Sequence, residues 1–284
     1  MINNNPIGIF DSGVGGLTVV SAVREVLNQE SIIYLGDTAR VPYGGKDKAT
    51  IIKYAFDSVA FLMSRGAKAV IMACNTSSAL ALKEIREAFP IPIFGVVEPG
   101  SKEAVRVNNG GTIGVLATQA TAKSHAYLNN IKNLQSLAEV VEIPCPGWVE
   151  LIESDSANTS EGLEILARTM EPLQTGKIDT VVLGCTHYPI IRKEIAGILD
   201  ASGRKIELVD PAKQTAILAK KVLTEARALN DGLNGGKLEI TVTAEQPQFT
   251  HIASRILGED VREVELVKVD DVGRELCIAH GFEA

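Results

Sequence analysis

Two apolar runs in this chain end in a cysteine in matching frames: Val70-Ile71-Met72-Ala73-Cys74-Asn75-Thr76 and Val181-Val182-Leu183-Gly184-Cys185-Thr186-His187. Each run is short, continuous and followed by a polar pair and a helix-like stretch, the pattern of a strand buried on both faces. Such strands belong to parallel sheets with helices on either side, which restricts the chain to an α/β fold. Each thiol then falls at a strand's carboxyl end, the edge where open α/β sheets bind ligands. The expected arrangement is one site with a sulfur on each side of a substrate.

The two frames belong to a longer echo. Ile93-Phe94-Gly95-Val96-Val97-Glu98-Pro99 follows Cys74, and Ile206-Glu207-Leu208-Val209-Asp210-Pro211 follows Cys185. Upstream, Ile7-Gly8-Ile9-Phe10-Asp11-Ser12 resembles Ile113-Gly114-Val115-Leu116-Ala117-Thr118. Three landmarks in the same order, each pair about 110 residues apart, point to a duplicated α/β unit. That period is far too long for a solenoid repeat. The acid-proline elements read as crossing points between the units. One domain is then 1–98 plus 211–284, carrying Cys74, and the other 99–210, carrying Cys185, with the cleft between them holding both. A plain two-in-tandem division is the alternative.

Strand and helix signals alternate throughout, predicting mostly parallel sheets. Expected strands are 6–11, 31–35, 69–73, 93–97, 112–117, 138–143, 180–184 and 206–209, with 238–243 and 264–269 in the tail. Expected helices are 16–26, 49–64, 77–88, 123–131, 160–172, 189–199, 215–228 and 248–257. Asn230-Asp231-Gly232-Leu233-Asn234-Gly235-Gly236 reads as a linker.

Length and composition narrow the function classes. A chain of 284 residues accommodates two modest domains, each able to bury a core. A net charge of −7 without any polybasic block disfavours nucleic acid as a partner. No apolar stretch reaches the ~18 residues of a membrane span, so no membrane partner is expected, and Met1-Ile2-Asn3-Asn4-Asn5-Pro6 does not read as a secretory signal. A cytoplasmic location is expected. The four cysteines form no disulfide framework, and no zinc-ligand spacing accompanies Cys185 and His187, so no metal is expected.

Several segments can carry chemistry. Asp11-Ser12-Gly13-Val14-Gly15-Gly16-Leu17-Thr18 is a glycine-rich turn between a strand and a helix. It fails the dinucleotide pattern, which needs glycine where Thr18 stands, and it lacks the lysine of a phosphate loop. What survives is a helix N-terminus suited to an anion. Asp11 cannot favour a carboxylate ligand and reads instead as the partner of a base. Pro42-Tyr43-Gly44-Gly45 follows the second strand and lies on the same edge; taken alone it is turn chemistry. Cys74-Asn75-Thr76 and Cys185-Thr186-His187 each set a thiol beside donors at a helix entrance, a position expected to lower a thiol's pKa. His187 is close enough to Cys185 to share a proton with it. Glu150 and Glu153 stand near a helix start, where either complements the dipole. Cys145 and Cys277 share no such frame and read as structural.

In combination these residues resemble the glutamate racemases. The resemblance rests on the stretch from Phe10 to Thr18, Gly36-Asp37-Thr38-Ala39 with Pro42-Tyr43-Gly44, Cys74-Asn75-Thr76, Gly114 to Thr118 with Thr121, and Gly184-Cys185-Thr186-His187-Tyr188-Pro189. It implies two pseudo-symmetric α/β domains and a reaction without pyridoxal phosphate or other cofactor. By that pattern Cys74 works on D-glutamate with Asp11 assisting, and Cys185 works on L-glutamate with His187 assisting. Substrate contacts are expected from Asp11, Ser12, Pro42, Tyr43, Gly44, Asn75, Thr76, Thr118, Thr121, Thr186 and His187, with Glu153 tuning the second half-site. The family carries Val-Pro-Leu-Val-Glu where this chain has Val149-Glu150-Leu151-Ile152-Glu153, so Glu150 replaces a proline. The resemblance further implies a homodimer and a supply of D-glutamate to peptidoglycan. The rival readings are a racemase of another acidic amino acid such as aspartate, and a non-catalytic anion-binding regulator on the same fold.

Overall fold

Ile7-Gly8-Ile9-Phe10-Asp11 is buried at every position, as is Ile32-Ile33-Tyr34-Leu35-Gly36, because helices cover both faces of the sheet they share. The computed structural model describes residues 4–174, 177–200, 203, 205–230, 232 and 235–269. Met1 to Asn3, the linker positions Asp231, Leu233 and Asn234, and Cys277 in the tail lie outside the described residues.

The described strands are β1 (Ile7–Asp11), β2 (Ile32–Gly36), β3 (Ala69–Met72), β4 (Ile93–Gly95), β5 (Thr112–Ala117), β6 (Val140–Pro144), β7 (Ile178–Gly184), β8 (Glu207–Val209), β9 (Leu238–Val242) and β10 (Glu265–Leu266). They form a six-stranded sheet of order β10-β9-β2-β1-β3-β4 and a four-stranded sheet of order β6-β5-β7-β8. Every strand pair is parallel. The echo read in the sequence has a topological counterpart, since β2-β1-β3-β4 in one sheet has the same order as β6-β5-β7-β8 in the other. In each sheet the first strand of the unit has its successors on opposite sides. That is a topological switch point, where the loops leaving adjacent strands diverge and open a crevice at the carboxyl ends. Ser12 follows β1 and Thr118 follows β5 at these two points.

Each sheet has two apolar clusters. Ile7, Ile9, Leu17, Val20, Ala69, Ile71 and Ala216 pack on one face of the larger sheet, while Phe10, Leu35, Ile51, Val59, Val70 and Met72 pack on the other. In the smaller sheet Leu116, Trp148, Val181, Leu183 and Tyr188 are separated in the same way from Ile113, Val115, Tyr127, Ile131 and Val182. Alternate residues of one strand feed opposite clusters, which is why each strand reads as a continuous apolar run.

The expected strand over 93–97 is corrected: β4 ends at Gly95, and Val97–Val107 is a helix absent from the expectation. Pro99 occupies its first turn, where the missing N–H leaves no hydrogen bond unmade. The expected helix over 215–228 begins earlier, at Pro211, with the Asp210 carboxylate accepting from Ala212 N as the N-cap. Both acid-proline elements are therefore helix starts. The two helices pack together, and a methyl group added at Gly100 would lie 2.8 Å from Pro211 Cγ. The expected helix over 77–88 divides at Ala81 into Asn75–Leu80 and Leu82–Ala88, and that over 123–131 into Gln119–Ser124 and Ala126–Leu134 around the left-handed His125. The stretch over 189–199 opens as a 3₁₀ turn, Tyr188–Ile191, before the helix Arg192–Asp200.

Candidate active site

The carboxyl ends of the two sheets supply the lining of one cavity of about 250 Å³. Ser12, Pro42, Tyr43, Gly44, Cys74, Asn75 and Thr76 come from the larger sheet's loops, and Thr118, Cys185, Thr186 and His187 from the smaller's. Asp11, Thr121 and Glu153 stand behind that lining, each tied to a residue in it. Asp11 is fully buried and accepts from Gly13 N at 3.2 Å, Gly16 N at 3.1 Å and Thr186 Oγ1 at 3.3 Å. Thr121 Oγ1 lies 3.1 Å from Thr76 Oγ1 and 3.0 Å from Thr118 Oγ1, and those two are 3.0 Å apart, so three hydroxyls close a triangle between the units. Glu153 Oε1 is 2.9 Å from His187 Nε2.

The two thiols sit in unlike surroundings. Burial, together with the Asp11 charge, pushes the Cys74 thiol up to about 12, against hydrogen bonds from Ser77 that pull it down. The sequence expectation for Cys74, a thiol lowered by its helix entrance, is thereby reversed. Desolvation outweighs the few N–H groups of the short helix Asn75–Leu80. On the opposite side, Cys185 Sγ lies 3.9 Å from His187 Nδ1. Burial opposes a charge on His187, but the contacts with Cys185 and Glu153 and the Asp11 charge outweigh it and raise its pKa to about 10. Both ring nitrogens of the imidazolium then donate, one toward sulfur and one to the carboxylate. Cys74 thus lies under the electrostatic influence of the Asp11 carboxyl, whose own pKa burial raises, while Cys185 stands beside the His187 imidazolium.

The Pro42-Tyr43-Gly44 loop is held from below. Tyr43 lines the cavity while its Oη donates to Asp37. Asp37 is fully buried and also accepts from Arg40 Nε at 2.6 Å and from Thr243 Oγ1 at 2.9 Å. At the loop's tip, Gly44 O accepts from Ala120 N at 3.0 Å, a backbone bond across the cleft.

Cavity residues that sequence reasoning missed are Val41, Gly45, Gln119, Cys145, Pro146, Gly147, Val149 and Glu150. Cys145 follows β6 as Cys185 follows β7. The expected strand over 138–143 therefore already placed it on this edge, but β6 is an edge strand with a broken burial pattern, so its frame did not match. Among the described residues no group of three or more His, Cys, Asp or Glu side chains is placed to hold a metal ion, and no helix is long and apolar enough to cross a membrane.

Residues 17–219 match the Asp/Glu/Hydantoin racemase family. A glutamate racemase of Aquifex aeolicus (strain VF5) is 40% identical over 255 residues, covering 90% of this chain and 95% of that protein. Among solved structures, glutamate racemase isoform RacE1 of Bacillus anthracis superposes with a TM-score of 0.88 at 35% identity, covering 94% of this chain and 99% of that one. The glutamate racemase of Francisella tularensis subsp. tularensis SCHU S4, solved with D-glutamate, gives 0.87 at 37% identity, covering 94% and 98%. With a family match over most of its length and two such structural neighbours, the chain belongs to the Asp/Glu/hydantoin racemase family, among its glutamate racemases, and is an isomerase.

Proposed function

We propose that the chain interconverts L- and D-glutamate by proton transfer at Cα between two cysteines, without a cofactor. The carrying observation is that Cys74 and Cys185, one from each sheet, line a single cavity, with His187 beside Cys185. For L-glutamate, the Cys185 thiolate removes the α-proton and the Cys74 thiol delivers its own to the opposite face. Cys185 ends as the thiol and Cys74 as the thiolate, and a proton must move back before the next L-glutamate turns over. D-glutamate runs the same steps in reverse. Two opposed thiols suit this chemistry because a single base tends to return its proton to the face it came from.

Asp11 acts on Cys74 through its charge, and His187, oriented by Glu153, acts on Cys185. Ser12, Asn75, Thr76, Thr118 and Thr186, with backbone of Pro42, Tyr43 and Gly44, hold the carboxylates and meet the charge that develops as Cα–H breaks. Sheet membership supports a first domain of 1–98 plus 211–284 and a second of 99–210, closing on the substrate and excluding water. The Francisella enzyme's complex with D-glutamate supports the substrate assignment. In the cell the product would feed peptidoglycan, from a cytoplasmic homodimer in a compartment that keeps the thiols reduced.

Each enantiomer incubated in heavy water should gain deuterium at Cα, preferentially in the inverted product. Cys74→Ala and Cys185→Ala should each abolish racemisation, and undiminished activity in either would sink the two-base reading.

A further inference from the structure

Tyr127 lies in the helix Ala126–Leu134, is fully buried and belongs to the smaller sheet's cluster. Its hydroxyl donates across the cleft to Asn75 Oδ1 at 2.7 Å, the one hydrogen bond it makes among the described residues. Its ring passes between two glycines. A methyl group added at Gly184 would stand 3.3 Å from Tyr127 Cε2, and one at Gly100 would stand 3.4 Å from Cε1. Gly184 precedes Cys185 and Asn75 follows Cys74. One rigid side chain therefore lies beside the end of β7 that leads into Cys185 and bonds the residue that follows Cys74.

We propose that Tyr127 is a positioning residue for racemisation: it fixes the Asn75 amide with its nitrogen toward the substrate and sets the spacing of the two cysteine loops. The inference rests on the reading of Asn75 as a substrate contact. A carboxamide offers one acceptor oxygen and two N–H donors, whereas a substrate carboxylate only accepts. With its oxygen committed to Tyr127, Asn75 presents its NH₂ to the cavity it lines. The flipped amide would aim its carbonyl at the carboxylate and leave the buried Tyr127 hydroxyl proton without an acceptor, which is costly. Burial and the Asp210 carboxylate push the phenol's ionisation well above its ordinary value, so it remains a donor throughout the working pH range.

Tyr127→Phe keeps the ring and removes only the hydroxyl. The expected result is a KM raised about ten-fold for both enantiomers with kcat within about three-fold, the pattern of lost uniform binding. Equal free energies of the enantiomers require kcat/KM to fall equally in both directions, which checks the measurement. In an Asn75→Ala background the same substitution should change KM less than about two-fold, because the group it positions is gone. An unchanged KM in Tyr127→Phe, or equal effects in both backgrounds, would overturn the proposal. If Tyr127→Phe fails to fold, Asn75→Asp decides: it retains the acceptor for Tyr127 but turns an anionic oxygen to the substrate. Its KM should rise by tens-fold, and an unchanged KM would overturn the orientation. Asn75→Ala with normal KM would remove Asn75 as a substrate contact altogether. An impaired Asn75→Ala beside a normal Tyr127→Phe would sink this inference alone.

Discussion

His187 and Cys74 give the protein a charge state that ordinary pKa values would not. His187 rises from 6.5 to about 10 in the folded chain, and Cys74 from 9.0 to about 12. Between the unfolded and folded values the native state holds a proton that the unfolded chain has lost, so stability falls as pH rises. The His187 contribution is fully present below about pH 6.5 and lost through pH 10; the Cys74 contribution is lost between about pH 9 and pH 12. The melting temperature should therefore fall steadily on the alkaline side. Glu153→Gln removes one of the anions that hold the His187 charge, and should flatten the slope between pH 6.5 and 10. Each unit by which the His187 pKa drops removes about 1.4 kcal/mol of that dependence. An unaltered slope would mean Glu153 does not hold the imidazolium.

At the scale of elements, the loop carrying Pro42, Tyr43 and Gly44 joins two functions. Asp37 and Arg40 pin it to the larger sheet, and Gly44 O joins it to the helix Gln119–Ser124 of the smaller. A methyl group at Gly44 would meet Thr118 Cβ at 2.9 Å, in the hydroxyl triangle beside the cavity. Gly44→Ala should push the two apart at an overpacking cost of about 1–3 kcal/mol. If that cost falls on the closed state, kcat/KM should drop about ten-fold while the melting temperature of the free protein stays nearly unchanged. Steady-state kinetics paired with thermal unfolding would separate this from general destabilisation. None of the bond across the cleft was legible in the sequence. Pro42-Tyr43-Gly44-Gly45 has the composition of a turn, and a turn's composition does not say which distant backbone N–H its carbonyl will meet.

For the molecule as a whole, the chain passes between the sheets at two helix starts that lean on one another. Gly100 permits the approach, because a methyl there would lie 2.8 Å from Pro211 Cγ and 3.0 Å from its Cβ. The pyrrolidine ring cannot rotate away, so Gly100→Ala should separate the helices Val97–Val107 and Pro211–Glu225. The expected cost is about 1–3 kcal/mol, equivalent to a fall of about 2–12 °C in melting temperature for a chain of this size. Activity should fall as well, since these helices carry both connections between the sheets; a normal melting temperature would count against that picture.

The strand positions, the parallel sheets and the placement of Cys74 and Cys185 at strand ends were legible because burial on both faces writes itself as an uninterrupted apolar run, whereas the order of strands within each sheet was not. The duplication was legible for the same reason, with acid-proline landmarks as markers. The helix Val97–Val107 was not, because Pro99 reads as a breaker unless the residue before it is known to start a helix. Cys145, Glu150 and Tyr127 were also hidden. Their places in or behind the site come from how the second sheet is set against the first, and no local pattern records that. By itself the sequence determined which residues stand at the sheet edges, since periodicity and propensity are local. Only the tertiary structure decided that burial would push the Cys74 thiol up rather than down, that Glu153 would meet His187, and that one buried tyrosine would bond Asn75 across the cleft. Desolvation, charge and hydrogen-bond partners depend on neighbours brought together across the cleft.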